Sequence, residues 1–194
     1  MDAFQFYFPF GWEHIIGLDA LDHQLFLLAL MALYSWKDWK TVLILVTAFT
    51  VGHSVTLLLS VVDWIRADSK WVEFFIPLTI VITAARNVFA KTANPQQLLV
   101  SYAVALFFGL IHGLGFANTI RMMLATDQQL GWGLLGFNLG LEVGQLIIVC
   151  LLLSMTFLIT EKMKAAPLIY SKLVSSLALG IGISICYNRF PLQF

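Results

Sequence analysis

The sequence predicts an all-α protein, a polytopic bundle of about six transmembrane helices preceded by an N-terminal interfacial segment. Three observations predict it. Of the 194 residues, 60% are hydrophobic and only 11% are charged, against about 45–50% and about 25% in an average soluble domain. Mean hydropathy is +0.87, too high for a water-coated globule and the opposite of a disordered composition. The apolar residues also fall into runs of bilayer length, since a core of ~30 Å needs about 20 residues per helix. The 11 Lys and Arg balance 11 Asp and Glu, so there is no basic field for a nucleic-acid partner.

The elements follow in chain order. Phe4, Phe6, Tyr7, Phe8, Phe10 and Trp12 read as an interfacial anchor, because aromatic rings favour the headgroup level. This stretch has no Lys or Arg to form a secretory n-region, so membrane insertion is expected to rely on the first span. Spans are expected at 19–34, 41–62, 71–90, 98–120, 131–160 and 167–188. The fifth is long enough to tilt or project. Trp36, Trp39, Trp64, Trp71 and Trp132 fall at predicted helix ends, and Trp12 lies just outside one. The connections are short, so residues 1–194 are expected to form one integral membrane domain. Cys150 and Cys186 fall near opposite faces and are not expected to pair.

Lys and Arg set the orientation. Lys37, Lys40, Lys91, Lys162, Lys164 and Lys172, with Arg86 snorkelling, mark one side; Arg66, Lys70, Arg121 and Arg189 mark the other. The richer side is expected to be cytoplasmic, with both termini outside a bacterial inner or plasma membrane.

Ionisable residues inside spans are costly and turn toward a bundle interior or a wet cavity. Here they include Asp22, His23, His53, Glu73, His112 and Glu142, with His14 just ahead of the first span. Counting ~1.5 Å per residue from the outer ends puts His53 at ~14 Å, His112 at ~12 Å, Glu142 at ~16 Å and His23 at ~6 Å. In the fifth span Asn138, Glu142 and Gln145 share one face, and Gly136, Gly140 and Gly144 form a small-residue packing face opposite. Thr50, His53 and Thr56 share a face of the second span, and Gly109, Gly113 and Gly115 surround His112. Asp19, Asp22 and His23 occupy one helical turn. A single buried His or Asn is ordinarily interhelical hydrogen-bond glue, and Met122 and Met123 read as packing. Three histidines and a glutamate from four helices at similar depth are harder to explain that way. Imidazole with carboxylate suits a divalent transition metal such as Ni, Co or Zn.

The segments GWEHIIGLDALDHQLFLLAL, TAFTVGHSVTLLL, VEFFIPLTIVITAARN, FFGLIHGLGFAN and FNLGLEVGQLIIV together resemble the HupE/UreJ membrane protein family, in its short branch without a soluble extension. The resemblance covers about residues 6–160 and implies secondary transport of nickel or cobalt. It also implies metal ligands at His14, Asp22, His23, His53, His112 and Glu142.

The leading expectation is therefore a metal transporter or metal-binding permease. Asp19, Asp22 and Glu73 would attract the cation, and His23, His53, His112 and Glu142 would coordinate it. Asp19 joins the metal set as an outer carboxylate. The alternative is an intramembrane zinc hydrolase acting on a lipid or amide, with His23, His53 and His112 on zinc, Glu142 or Asp22 as base and Ser54 in support. A third is a scaffold whose polar cluster only holds helices together. The expected partners are the bilayer and the metal ion, and a homo-oligomer is compatible with the composition.

Overall fold

The computed structural model describes residues 2–91, 98–124 and 129–192. Every regular element among them is helical: α1 Ala3–Ile16, α2 Leu21–Met31, α3 Trp39–Val61, α4 Ser69–Val88, α5 Leu98–Leu124, α6 Leu130–Phe157 and α7 Pro167–Asn188. Short 3-10 turns at Leu18–Ala20 and Trp36–Asp38 and a π turn at Leu158–Lys162 join or extend them. Helices α3 to α7 are each long and apolar enough to cross a membrane. Helices α1 and α2 pass that test only as a pair, bent by 57°.

Hydrogen bonds at the two ends show that this pair is a broken span and not a re-entrant loop. The Tyr7 hydroxyl donates to the Met123 carbonyl at 2.9 Å, so α1 starts beside the end of α5. Asn118 donates to Ser69 Oγ at 3.1 Å, and Arg121 to the Ser60 carbonyl at 3.0 Å, which places the end of α3 and the start of α4 at the same face. At the other extreme, Asn87 Nδ2 donates to the Ala29 carbonyl at 2.6 Å, so α2 finishes beside the end of α4. The α1–α2 pair therefore runs from the N-terminal face to the far face, and the bundle has six crossings.

This revises the expected start. The aromatic N-terminus is not an interfacial anchor ahead of a span at 19–34; it is the first half of that span. Helix α1 lies along α6 in parallel: Phe4 meets Gly136, Phe8 meets Gly140, and Trp12 meets Gly144. A Cβ at Gly11, Gly136 or Gly140 would collide with the carbonyl oxygen of Phe137, Phe4 or Phe8, respectively. The small-residue face expected on this helix thus packs a neighbour backbone to backbone. Trp12, level with Gly144, sits about 21 Å along α6 from Leu130, deep in the membrane and not at its edge.

The break itself must satisfy backbone groups that hydrocarbon cannot solvate. Asp2 caps the start of α1 by accepting from Gln5 N at 2.8 Å, and the Gly17 N–H closes its end on the Glu13 carbonyl at 2.9 Å. Gln24, on the next helix, points its amide back at the carbonyls of Ile15, Ile16 and Gly17, at 3.3, 3.2 and 3.0 Å. One side chain thereby covers the exposed carbonyl end of a half-helix.

Helices α3 and α5 make the other close pair. A Cβ on Gly52 would strike the Leu106 carbonyl, one on Gly109 the Phe49 carbonyl, and one on Gly113 the Thr56 hydroxyl and the His53 backbone. Each histidine of this pair, His53 and His112, follows or precedes one of these glycines, so the tight approach sets both imidazoles in one layer. Toward the far face the interior is a continuous apolar core containing Phe26, Phe49, Ile80, Phe108 and Leu153.

Candidate metal centre

The four histidines of the chain come together at the break between α1 and α2. His14 lies in the last turn of α1, His23 in the first turn of α2, and His53 and His112 project from the middle of α3 and α5. Ring centroids are 4.9 Å apart for His14 and His23, 5.9 Å for His14 and His53, 6.3 Å for His23 and His53, and 4.8 Å for His23 and His112. His23 is thus in the same layer as His53 and His112. The shallow ~6 Å depth expected for it came from starting the span at residue 19. With the helix beginning at Ala3, His23 falls near the centre.

The nitrogens of this cluster are arranged for ligation. His112 Nδ1 bonds the Phe108 carbonyl at 2.8 Å. His23 Nδ1 lies 2.9 Å from Asp22 Oδ1, which also accepts from the His23 backbone N–H at 2.8 Å. Those bonds fix Nδ1 as the protonated nitrogen and leave Nε2 with its lone pair toward the cluster. The Nε2 atoms of His14, His23, His53 and His112 are all buried without a hydrogen-bond partner, as is Nδ1 of His53. Unpaired buried acceptors of this kind are rare and costly. Those on His14, His23 and His53 belong to residues whose ligand atoms lie close enough together to share one cation.

His14, His23 and His53 each offer a ligand atom, all within 4.8 Å of one another. Nitrogens bound to one tetrahedral metal at about 2.0–2.1 Å stand about 3.4 Å apart, so ligation draws these rings together by up to about 1.4 Å. His112 stands beside this triad as the fourth imidazole. Aromatic rings pack round the set: Phe116 lies 4.2 Å from His14 and 5.1 Å from Phe137, and Phe137 stacks on His53 at 6.3 Å.

A cavity of about 550 Å³ opens from the N-terminal face onto the cluster. Glu13, Asp19, Asp22 and Glu73 line it, together with His14, His23, His112 and Arg189. Below the histidines the path is closed. Phe26 packs 5.2 Å from Phe49, 5.4 Å from Phe108 and 5.5 Å from His112, and all three phenylalanines are buried.

Not every expected site residue joins this centre. Asp22, expected as a ligand, bonds the His23 ring nitrogen and backbone N–H through Oδ1 and lines the cavity. Asp19 lies exposed on the cavity wall. Glu142 is elsewhere: its Oε1 accepts from Thr47 at 2.7 Å on the outside of the α3–α6 seam, and it lines none of the cavity. Its face-mate Gln145 accepts from Thr50 at 2.8 Å, so the polar face of α6 does meet α3, but below the histidines. Ser54 turns its hydroxyl onto the Thr50 carbonyl at 2.7 Å. The hydrolase alternative therefore finds neither Glu142 nor Ser54 at the cluster, and its other base, Asp22, is bound to His23. Glu13 was missed; its position next to His14 in the sequence was the available signal.

No curated protein and no solved structure matches the chain. A family model described as HupE / UreJ protein matches residues 1–189. With six crossings and a histidine cluster at a helix break, the chain is a multi-pass membrane protein that belongs to the HupE/UreJ family.

Proposed function

We propose that the protein is a membrane transporter for a divalent transition-metal cation of the Ni, Co or Zn class. The observation that carries this reading is the His14–His23–His53 triad, whose ligand atoms lie within 4.8 Å of one another and whose Nε2 atoms are buried without partners, beside an acid-lined cavity. The nickel and cobalt association of the HupE/UreJ family supports the same class of cargo.

The carboxylates of Glu13, Asp19, Asp22 and Glu73 concentrate cations at the cavity mouth. The cation then exchanges hydration waters for imidazole nitrogens. His14 and His23 ride on the two halves of the broken span, while His53 and His112 ride on the rigid α3–α5 pair. Ligation therefore ties the hinge at Gly17–Ala20 to the bundle. Release to the far side requires the Phe26–Phe49–Phe108 layer to part, and a bend already present between α1 and α2 is the natural place for that movement. Protonating the imidazoles competes with the metal, so release is favoured by acid. The Lys and Arg balance supports a cavity that faces the outside.

The test is metal uptake by proteoliposomes, paired with equilibrium binding to the purified protein. Wild type is expected to bind one Ni²⁺, Co²⁺ or Zn²⁺ and to move it. His53→Ala and His112→Ala are expected to lose binding, whereas Glu142→Gln keeps the affinity within about twofold because its site is separate. Absence of bound metal together with absence of thermal stabilisation by all three ions refutes the reading. Tight metal that never crosses the membrane refutes transport.

A further inference from the structure

We propose that Arg189 is a tethered counter-ion of the access cavity. It holds Asp22 while the cluster is empty and is displaced electrostatically by the arriving cation, so that it sets the affinity of the histidine centre. This inference rests on the metal reading above.

Among the described residues Arg189 is the only cationic side chain lining the cavity, facing Glu13, Asp19, Asp22 and Glu73. Its Nη1 lies 3.6 Å from Asp22 Oδ2, with the arginine side chain 39% exposed and the aspartate 14%. The other oxygen of the same carboxylate is committed to His23, through the ring nitrogen at 2.9 Å and the backbone N–H at 2.8 Å. Asp22 is therefore shared between a guanidinium on one side and the imidazole that would carry the metal on the other.

The arginine is held in place by the chain around it. Its backbone N–H bonds the Ile185 carbonyl at 3.0 Å, which closes the end of α7. The next residue, Phe190, packs edge-on against Phe74 of α4 at 5.5 Å. With the backbone fixed on both sides, the long side chain is the movable part. It spans from the cavity rim to Asp22 much as a soluble cation would.

A divalent ion on His23 Nε2 draws electron density through the ring and strengthens the Nδ1–H bond to Asp22. The same ion repels the guanidinium. Metal binding and the Arg189–Asp22 pair are consequently competitive, and Arg189 raises the threshold concentration at which the cluster fills. A purely structural Arg189 would act in the other direction: by steadying Asp22 it would steady His23, and its loss would weaken binding.

The experiment is calorimetric titration of the full-length protein in detergent with Ni²⁺, alongside thermal unfolding with and without the ion. Arg189→Met keeps the aliphatic stem and removes the charge; Arg189→Gln is a second neutral variant, and Arg189→Lys is the charge control. Both neutral variants are expected to bind Ni²⁺ about tenfold more tightly, in line with loss of a partly exposed opposing charge. Their metal-free Tm falls or holds while the Tm rise on adding Ni²⁺ grows. Arg189→Lys stays within about twofold of wild type, because the charge is retained. Unchanged or weaker binding in the neutral variants, with binding still dependent on His53, overturns the counter-ion role and leaves the metal centre standing. Absence of any His53-dependent binding in wild type overturns both.

Discussion

Asp22 offers the sharpest test of how the centre is built, because ligand and supporting roles predict different spectra as well as different affinities. Its Oδ1 takes two hydrogen bonds, from His23 Nδ1 at 2.9 Å and from the His23 N–H at 2.8 Å. The substitution Asp22→Asn keeps an oxygen in that position and so keeps the ring orientation; only the charge is lost. A hydrogen bond to a charged group contributes about 1.5–3 kcal/mol and a neutral one about 0.5–1.5 kcal/mol. The midpoints differ by about 1.3 kcal/mol, close to tenfold in Kd. Asp22→Ala removes the acceptor altogether, frees the imidazole to rotate, and is expected to cost about 100-fold, the upper range for loss of such a support. The assay is Co²⁺ titration followed by its visible d–d absorption. Asp22→Asn should bind about tenfold more weakly with the band positions of wild type, since the ligand set is untouched. Shifted bands with a loss as large as that of His53→Ala would make Asp22 a direct ligand and refute the reasoning.

Three other predictions concern the scaffold. Gly140→Ala drives a methyl into the Phe8 backbone, whereas the same change at Gly180 meets nothing within 4 Å. Thermal unfolding in detergent should show Gly140→Ala losing about 1–3 kcal/mol from overpacking and Gly180→Ala gaining up to about 1 kcal/mol from helix propensity. Gln24→Leu uncovers the carbonyls of Ile15, Ile16 and Gly17; it is expected to destabilise by about 1–2 kcal/mol and to speed hydrogen exchange in the residues around the break. In the loop after α3, the hydrogen bonds from Arg66 hold the Asp63 carboxyl below its ordinary value of 3.8. A lowered folded-state pKa means stability that is present above the unfolded value and is lost as pH falls through the folded one. Asp63→Asn tolerates the left-handed backbone there, φ 62°, so the Tm gap between wild type and this variant should narrow as pH falls below about 4.

Much of this molecule can be read from periodicity and hydropathy. Helices α3 to α7 coincide with the expected second to sixth spans, because each is an uninterrupted apolar run bounded by polar residues or tryptophan. His53 and His112 are the only histidines inside those runs, and burying them requires partners. The N-terminal half-span was not legible for a physical reason. Glu13, His14, Asp19 and Asp22 cluster round Gly17, so the window that averages hydropathy over a bilayer length reads a polar edge where the chain in fact bends by 57°. The capping amide that allows such a bend sits seven residues beyond the last carbonyl it serves.

The sequence by itself determined the class of solvent, the number of crossings, and the fact that several imidazoles must be hidden together, since composition and period fix what has to be buried. Which groups meet was decided only by tertiary packing. Glu142 is on the polar face that helical spacing assigns to it, but that face meets Thr47 of α3 and lies outside the histidine layer. Asp22 and His23 are adjacent in sequence, yet only the rotation of the ring shows that the carboxylate stands behind the imidazole. Arg189 enters the cavity from the far end of the chain. Spacing along one helix specifies a direction around its own axis; the neighbour found in that direction depends on how glycine faces bring whole helices together.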